Sequence, residues 1–177
     1  MLSYAKIVLL CVTASVIYGV IHDQFTARIC PEYFTIGHPP VFETDDPTLL
    51  GLGWGFRATW WAGAAVGLML GVAARAGGRR RISPRELIKP VLVLISVMAA
   101  SAAVFGALGY LGAQRGLIGL EGTTLGEAIP PARHSAFLAD AFAHTASYWV
   151  GFIGGAVLCW MTWRRRKTGS SRLKAVG

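Results

Sequence analysis

Four long hydrophobic segments separated by polar stretches set the pattern of this chain. The segments cover about residues 5–22, 48–74, 91–113 and 135–163. Each is long enough to cross a bilayer, which takes roughly 17 to 25 apolar residues in an α-helix. Polar stretches lie at 23–47, 75–90 and 114–134, and a polar tail covers 164–177. The pattern predicts an all-α fold, a polytopic membrane helical bundle with four transmembrane helices in a single domain (1–177).

The composition agrees with an integral membrane protein. Hydrophobic residues make up 54% of the chain and charged residues only 15%, with a mean hydropathy of +0.50. These values are too apolar for a soluble globular protein. The net charge of +8 does not indicate nucleic-acid binding, because the basic residues cluster just beyond the hydrophobic segments and no nucleic-acid-binding motif accompanies them. We therefore expect the lipid bilayer, and no nucleic acid, among the partners.

The distribution of Lys and Arg predicts the orientation. One face would carry Lys6, six basic residues after the second segment and six after the fourth, which makes thirteen, against three on the other face, Arg28, Arg115 and Arg133. Basic residues concentrate on the cytoplasmic side of membrane proteins. Both termini, the loop 75–90 and the tail 164–177 are therefore predicted to be cytoplasmic. The loops 23–47 and 114–134 would face the periplasm of a bacterial inner membrane.

The first hydrophobic segment has two interpretations. Its core from Ile7 to Ile21 follows Lys6 and is short enough to be the core of a signal peptide, with a cleavage site near Thr13 to Ser15. The apolar pattern continues past that site to Ile21. We therefore favour an uncleaved membrane helix.

The second segment carries signals for its start and for its packing. Asp46 and Pro47 are typical of an N-cap and a first helical residue. Gly63, Gly67 and Gly71 recur every four residues, a spacing that lets another helix backbone approach closely. Because four helices enclose little volume, we expect the chain to form a homo-oligomer or to join a larger membrane complex.

The stretch from His22 to Pro40 concentrates the reactive side chains of the chain. Together with the fourth segment it places all four histidines on the predicted outer side. His134, Asp140 and His144 lie within an arc of about 120° on a helix, so they can face one space. Asp140 and His144 are also four residues apart, as in helical pairs of metal ligands. His134 would lie at the mouth of such a site.

These residues predict a metal site on the outer side. We expect its ligands among Asp140 and His144 of the fourth helix and three residues of the first outer loop, His22, Glu32 and His38. Imidazole and carboxylate without thiolate suit Zn, Fe, Mn or Cu. A metal with an open position would activate water or a redox substrate at the membrane surface. The sequence assigns no catalytic residue beyond these candidate ligands.

A structural interpretation stands beside the metal site. Arg57 lies about ten residues inside the second helix, where an arginine needs a partner or a wet cavity. Asp140 should lie at a similar depth, and a paired charge is how membrane proteins keep such groups in lipid. We therefore predict an ion pair between Arg57 and Asp140.

The outer regions also carry a resemblance. The string HDQxTxRxCxEYFTxGHP at His22–Pro39, with His144–Tyr148 and Gly151 later in the chain, resembles an uncharacterised family of small bacterial four-helix integral membrane proteins. The resemblance implies that these polar residues occur together. It carries no activity, cofactor or substrate to the chain.

Two functions from different classes fit the sequence. The first is a metal-dependent enzyme with an extracytoplasmic His and carboxylate site. The alternative is a non-enzymatic subunit of a membrane complex, or a small protein that moves ions or protons along Arg57, Asp140 and His144. A metal site should depend on Glu32 and His38, whereas a proton path should not. A haem protein is a weaker third reading, because no haem-attachment motif is present.

Overall fold

The chain folds as a bundle of α-helices. A computed structural model describes residues 2–39 and 41–174, among which no strand is present. Pro40, at the end of the polar stretch, lies outside the described residues. The helices are α1 (Leu2–Ile29), α2 (Pro31–Thr35), α3 (Pro47–Arg75), α4 (Pro84–Gln114), α5 (Thr124–Ala128) and α6 (His134–Lys174), with a 3₁₀ turn at Pro131–Arg133 before α6. The predicted all-α class is confirmed.

Three parts of the described chain are long and apolar enough to cross a membrane, namely α1, α4 and the segment Pro131–Arg166. Helix α3 has the length, with 29 residues, but it is not among them. Its glycines, its tryptophans and Arg57 lower its hydropathy. Three candidate spans support a membrane protein.

Helices α1 and α3 form a close pair because glycines remove side chains from their contact. A Cβ atom added at Gly63 would clash with Ser15 Oγ and lie 2.8 Å from the carbonyl oxygen of Cys11. A Cβ atom at Gly67 would lie 2.9 Å from the Cα of Val8. The predicted packing role of the glycine ladder is confirmed, and its partner is α1.

Helices α4 and α6 form the second close pair. A Cβ atom added at Gly109 would lie 2.7 Å from the carbonyl oxygen of Leu138, and one at Gly106 would lie 3.3 Å from that of Ala139. Weaker contacts of α3 with α6 and of α1 with α4 join the two pairs. The bundle is thus two tight helix pairs with a looser seam between them.

The first helix is longer than predicted, and this difference matters for the site. The sequence predicts an end near residue 22, where polar residues begin, but α1 continues to Ile29. No Gly or Pro lies between His22 and Pro31, so nothing ends the helix where the polar residues begin. His22 and Asp23 therefore lie on a helix and not in a loop.

The other boundaries follow local capping. The predicted start of α3 is confirmed, since Asp46 Oδ1 accepts the N–H groups of Thr48 and Leu49 at 2.9 Å each. Helix α4 begins at Pro84 and not near Val91, because the Glu86 carboxylate accepts the N–H of Ser83 at 3.0 Å and caps this turn. Pro90 lies inside the helix. Helix α6 extends beyond the predicted end at residue 163.

A buried arginine joins α6 to the end of α3. Arg166 is fully buried and donates to the carbonyl oxygens of Ala73 at 2.9 Å, Ala76 at 2.7 Å and Arg80 at 2.6 Å. Carbonyls at a helix C-terminus lack partners within the helix and attract cations. The guanidinium also lies 5.4 Å from the ring centre of Trp163. One side chain of α6 therefore caps α3.

Candidate functional site

Three side chains of α1 and α6 form the candidate site. Potential ligand atoms of His22, Asp23 and His144 all lie within 4.8 Å of one another. His144 Nε2 lies 3.2 Å from Asp23 Oδ1. The extra turns of α1 supply His22 and Asp23, and α6 supplies His144. In this structure the beginning of the first polar stretch, as part of α1, therefore lies against the fourth hydrophobic helix, α6.

The hydrogen bonds of His144 define which ring nitrogen faces Asp23. Nδ1 lies 2.8 Å from the carbonyl oxygen of Asp140. A carbonyl oxygen only accepts, so Nδ1 carries the hydrogen, and in a neutral ring Nε2 then has a lone pair. This lone pair faces a carboxylate oxygen, which is also an acceptor when ionised. The contact at 3.2 Å therefore needs a proton or a metal ion between the two atoms.

The burial of these side chains strengthens the need for a proton or a metal ion between His144 and Asp23. Asp23 and His144 keep only 4% and 7% of their surface exposed. His22 Nε2 is buried and has no hydrogen-bond partner in the described part of the chain. A buried polar atom without a partner costs about 1–3 kcal/mol. A cavity of about 110 Å³ borders all three residues, which is room enough for an ion with water. The side chains and the space both suit a bound cation.

Aromatic rings hold the imidazoles in place. Tyr18 stacks on His22 with ring centres 5.6 Å apart, and Tyr33 stacks on His144 at 4.4 Å. The two imidazoles meet edge to face at 4.6 Å. Tyr18 is itself fixed by a hydrogen bond of 2.7 Å between its hydroxyl and that of Ser147. These contacts limit the rotation of the rings, so the site is ordered by packing.

Asp140 has a different place from the one predicted. Asp140 is buried, with 1% of its surface exposed, and neither carboxylate oxygen has a hydrogen-bond partner among residues 2–39 and 41–174. Arg57 is exposed on α3, and the predicted ion pair between Arg57 and Asp140 does not form in this structure. The reason is geometric, because Asp140 borders a groove made by α1, α4 and α6 that no residue of α3 lines.

Glu32 and His38 do not join the cluster. Glu32 accepts from Arg133 Nε, which lies 3.1 Å from both carboxylate oxygens. His38 Nδ1 bonds the carbonyl oxygen of Tyr33 at 2.8 Å, and its ring packs on Trp54. His134 Nε2 similarly bonds the carbonyl oxygen of Ile129 at 2.9 Å. In this structure Glu32, His38 and His134 make contacts that hold the segments between the long helices.

Asp23 is the member of the cluster that the sequence analysis missed. The interpretation of residues 23–47 as a loop hid its position on the inner face of α1, where Asp23, Thr26 and Ala27 are all buried. The available signal was the absence of a helix breaker before Pro31. Extending the helix to that proline would have placed Asp23 beside His22.

The titratable groups just outside α1 are shifted by their surroundings. Burial, together with a hydrogen bond to Glu32, raises the pKa of the Cys30 thiol to about 12, so this thiol stays protonated and donates to Glu32 at 3.3 Å. Burial raises the pKa of Glu32, but its own backbone N–H, the Cys30 thiol and Arg133 outweigh burial and lower it overall. Glu32 is therefore ionised at neutral pH.

The lowered pKa of Glu32 gives a testable pH dependence. Its folded-state pKa lies below the unfolded value of about 4.3, so the stabilisation is complete above that value and is lost as the pH falls through the folded pKa. Because the Arg133 side chain is 35% exposed, we expect a loss of less than about 1 kcal/mol in the free energy of unfolding below pH 4, which lowers the melting temperature by less than about 4 °C.

Thermal unfolding of the detergent-purified protein between pH 3 and pH 7 measures this effect. Glu32→Gln should remove most of this step, whereas Glu43→Gln, at an exposed acid of the same loop, should keep it. An unchanged step in Glu32→Gln would show that the Glu32 and Arg133 pair does not stabilise the fold.

Comparison of the chain with protein-family models, with curated proteins and with solved structures gave no match. The site is therefore interpreted from its own geometry.

Proposed function

We propose that the chain is an integral protein of a bacterial inner membrane with four spans and both termini in the cytoplasm. The support is the thirteen basic residues on one face against three on the other, as cytoplasmic segments require. Helix α3 would be the fourth span, since it packs along α1 over its length. In this arrangement the outer ends of α1 and α6, with the candidate site, lie on the periplasmic side.

The proposed function is metal binding and metal-dependent catalysis at His22, Asp23 and His144. A single observation carries this proposal, namely that the three potential ligand atoms lie within 4.8 Å of one another. Two of these residues were predicted as ligands from the sequence, and Asp23 replaces Glu32, His38 and Asp140 in the set. Two imidazoles and one carboxylate suit Zn, Fe, Mn or Cu.

The surroundings have the properties of a reactive metal site. Three protein ligands leave a coordination position open for water or a substrate. The bond from His144 Nδ1 to the carbonyl oxygen of Asp140 at 2.8 Å turns Nε2 toward the centre, as outer-shell hydrogen bonds do in metal sites. When bound, the metal would activate water or a redox substrate. Asp23 and His144 would hold the proton that is exchanged when the metal leaves.

Elemental analysis of the detergent-purified protein tests the proposal. We expect close to one equivalent of a single transition metal per chain in the wild type, and a loss of at least ten-fold in His144→Ala, because removal of a ligand destroys the site. His134→Ala is the matched control, since His134 is on the same helix and outside the cluster. His38→Ala should also keep its metal.

Two results would contradict the proposal. One is a wild-type protein without metal after purification and after reconstitution with Zn²⁺, Mn²⁺, Fe²⁺ or Cu²⁺. The other is equal metal content in the His144→Ala and His134→Ala variants.

A second function is favoured by a separate observation, the buried Asp140 carboxyl, for which the described residues offer no hydrogen-bond partner. Unpaired ionisable groups within membrane helices often belong to proton or ion paths. In this alternative the chain is a non-enzymatic subunit of a membrane complex or a small ion or proton translocator. Proton flux into vesicles that contain the metal-free protein, abolished by Asp140→Asn, would favour it over the metal centre.

A further inference from the structure

A large apolar groove runs along the seam between the two helix pairs. Its walls are α1 on one side and α4 with α6 on the other, and its volume is about 800 Å³. Ligand sites in proteins have volumes of about 300 to 1,000 Å³. The apolar lining includes Ile17, Ile21, Phe25, Ile95, Ala99 and Ala103. The groove is thus as large as a site for a small organic molecule with an alkyl chain.

The polar groups that border the groove determine which chemical group the head of such a molecule must carry. Asp140 and His22 both border it, and each has buried side-chain atoms that find no hydrogen-bond partner among the described residues. The carboxyl oxygens of Asp140 accept hydrogen bonds, whereas the lone pair of His22 Nε2 is taken by the metal in the proposed centre. The molecule should therefore bring donors, and a hydroxyl group is the simplest uncharged donor.

Charge excludes the common anionic lipids as specific ligands. Among the residues that the structure describes, no Lys or Arg lines the groove, so a phosphate or carboxylate head would be buried beside Asp140 without a counter-ion, which is costly. The rings of Tyr18 and Phe25 are also part of the lining. Aromatic side chains favour a flat aromatic head, through stacking and edge-to-face contacts.

We propose that the groove binds a membrane-dissolved phenol or quinol, with its alkyl chain along α1 and α4 and its hydroxyl group at Asp140. His22 and Tyr18 border both this groove and the cavity beside Asp23 and His144. A ligand in the groove can therefore contact His22, a residue of the proposed metal centre. The inference rests on the proposed function only for the reaction of the ligand, because binding itself needs the groove alone.

The probe for this inference is 4-dodecylphenol, and its anionic counterpart is dodecanoate. Native mass spectrometry of the full chain released from detergent counts the bound molecules and titrates them. We expect one saturable 4-dodecylphenol per chain and at least ten-fold weaker binding of dodecanoate at pH 8. Asp140→Leu should weaken the binding of 4-dodecylphenol by about ten-fold, because it removes a hydrogen-bond acceptor.

Two variants of α4 test the position of the ligand without touching the polar groups. Ala103 lines the groove and Ala100 does not, and both are exposed in the single chain. Ala103→Phe should fill the groove and abolish saturable binding of 4-dodecylphenol. Ala100→Phe adds the same ring to the same helix and should leave binding unchanged.

Several outcomes would overturn the inference. Equal binding of 4-dodecylphenol and dodecanoate would mean nonspecific partitioning. Equal binding by the Ala103→Phe and Ala100→Phe variants would place the ligand elsewhere. A stable dimer that binds no phenol would assign the groove to a second copy of the chain. Metal content measured on the same samples separates the two proposals, because a metal-free protein that binds the phenol contradicts only the metal centre.

Discussion

Replacing His144 with phenylalanine is expected to destabilise the metal-free protein by about 3–5 kcal/mol. The substitution leaves the buried Asp23 carboxyl without its partner, and an uncompensated buried ionisable group has a cost of this size. Asp23 is only 4% exposed, and the phenyl ring fills the place of the imidazole but cannot hydrogen-bond the carboxyl. In a chain of this size we expect the melting temperature to fall by roughly 10 °C.

A double substitution separates the loss of this contact from damage to packing. Asp23→Leu with His144→Phe replaces both partners by apolar groups, which is often close to neutral. We expect the double variant to recover most of the stability lost in His144→Phe, measured by thermal unfolding in detergent with a chelator present. Strictly additive effects of the two substitutions would contradict a direct interaction between Asp23 and His144.

Replacing Gly63 with alanine is expected to destabilise the bundle by about 1–3 kcal/mol, although alanine favours helices more than glycine does. The new Cβ atom would lie 2.8 Å from the carbonyl oxygen of Cys11 and 2.9 Å from the Cα of Val12. Both are backbone atoms of α1, so the two helices must separate. The measurement is the melting temperature of the purified variant.

Gly151→Ala is the matched control for this prediction. A Cβ atom at Gly151 would meet only the end of the Met98 side chain, with its Cε atom at 3.1 Å, and a methionine side chain can move aside. We expect a neutral effect or a gain in stability. If Gly63→Ala and Gly151→Ala have the same effect, the close contact of α1 and α3 does not limit stability.

The elements with clear local signals were predictable from the sequence. Helix α3 begins at Pro47 as expected, because the Asp46 carboxylate caps it through contacts within three residues. The glycine ladder was interpreted correctly as a packing surface, since a spacing of four residues has one geometric meaning on a helix. The spacing of the glycines did not predict which helix packs against them, and the structure shows that it is α1.

The candidate site was predictable only in part, for physical reasons that involve distant contacts. His144 was selected because it lies four residues after Asp140 on a predicted helix, and His22 because it begins the polar stretch from His22 to Pro40. Glu32 was also selected, but its partner Arg133 lies 101 residues away, and no local pattern reports that contact. Asp23 was missed because its burial depends on how far α1 continues, which is decided by the absence of a breaker and not by polarity.

Two arginines, Arg133 just before α6 and Arg166 near its far end, fix the position of α6 along its axis. Just before the helix, Arg133 bonds Glu32 and the carbonyl oxygen of Ile29 at 2.8 Å. Near the other end of α6, Arg166 bonds the carbonyl oxygens of Ala73 and Ala76 at the end of α3 and that of Arg80 in the following loop. A slide of α6 by one turn, about 5.4 Å, would break both sets of bonds. The position of α6 along its own axis is thus fixed from both ends.

His144 lies between Arg133 and Arg166 in the chain. Its position along the helix axis relative to Asp23 is therefore set by residues that do not touch the site. The imidazole and the carboxylate are held opposite each other before any ligand arrives. Such preorganisation lowers the entropy that a ligand must give up to order its own site. Substitutions at Arg133 or Arg166 would therefore act on the site through the register of a helix.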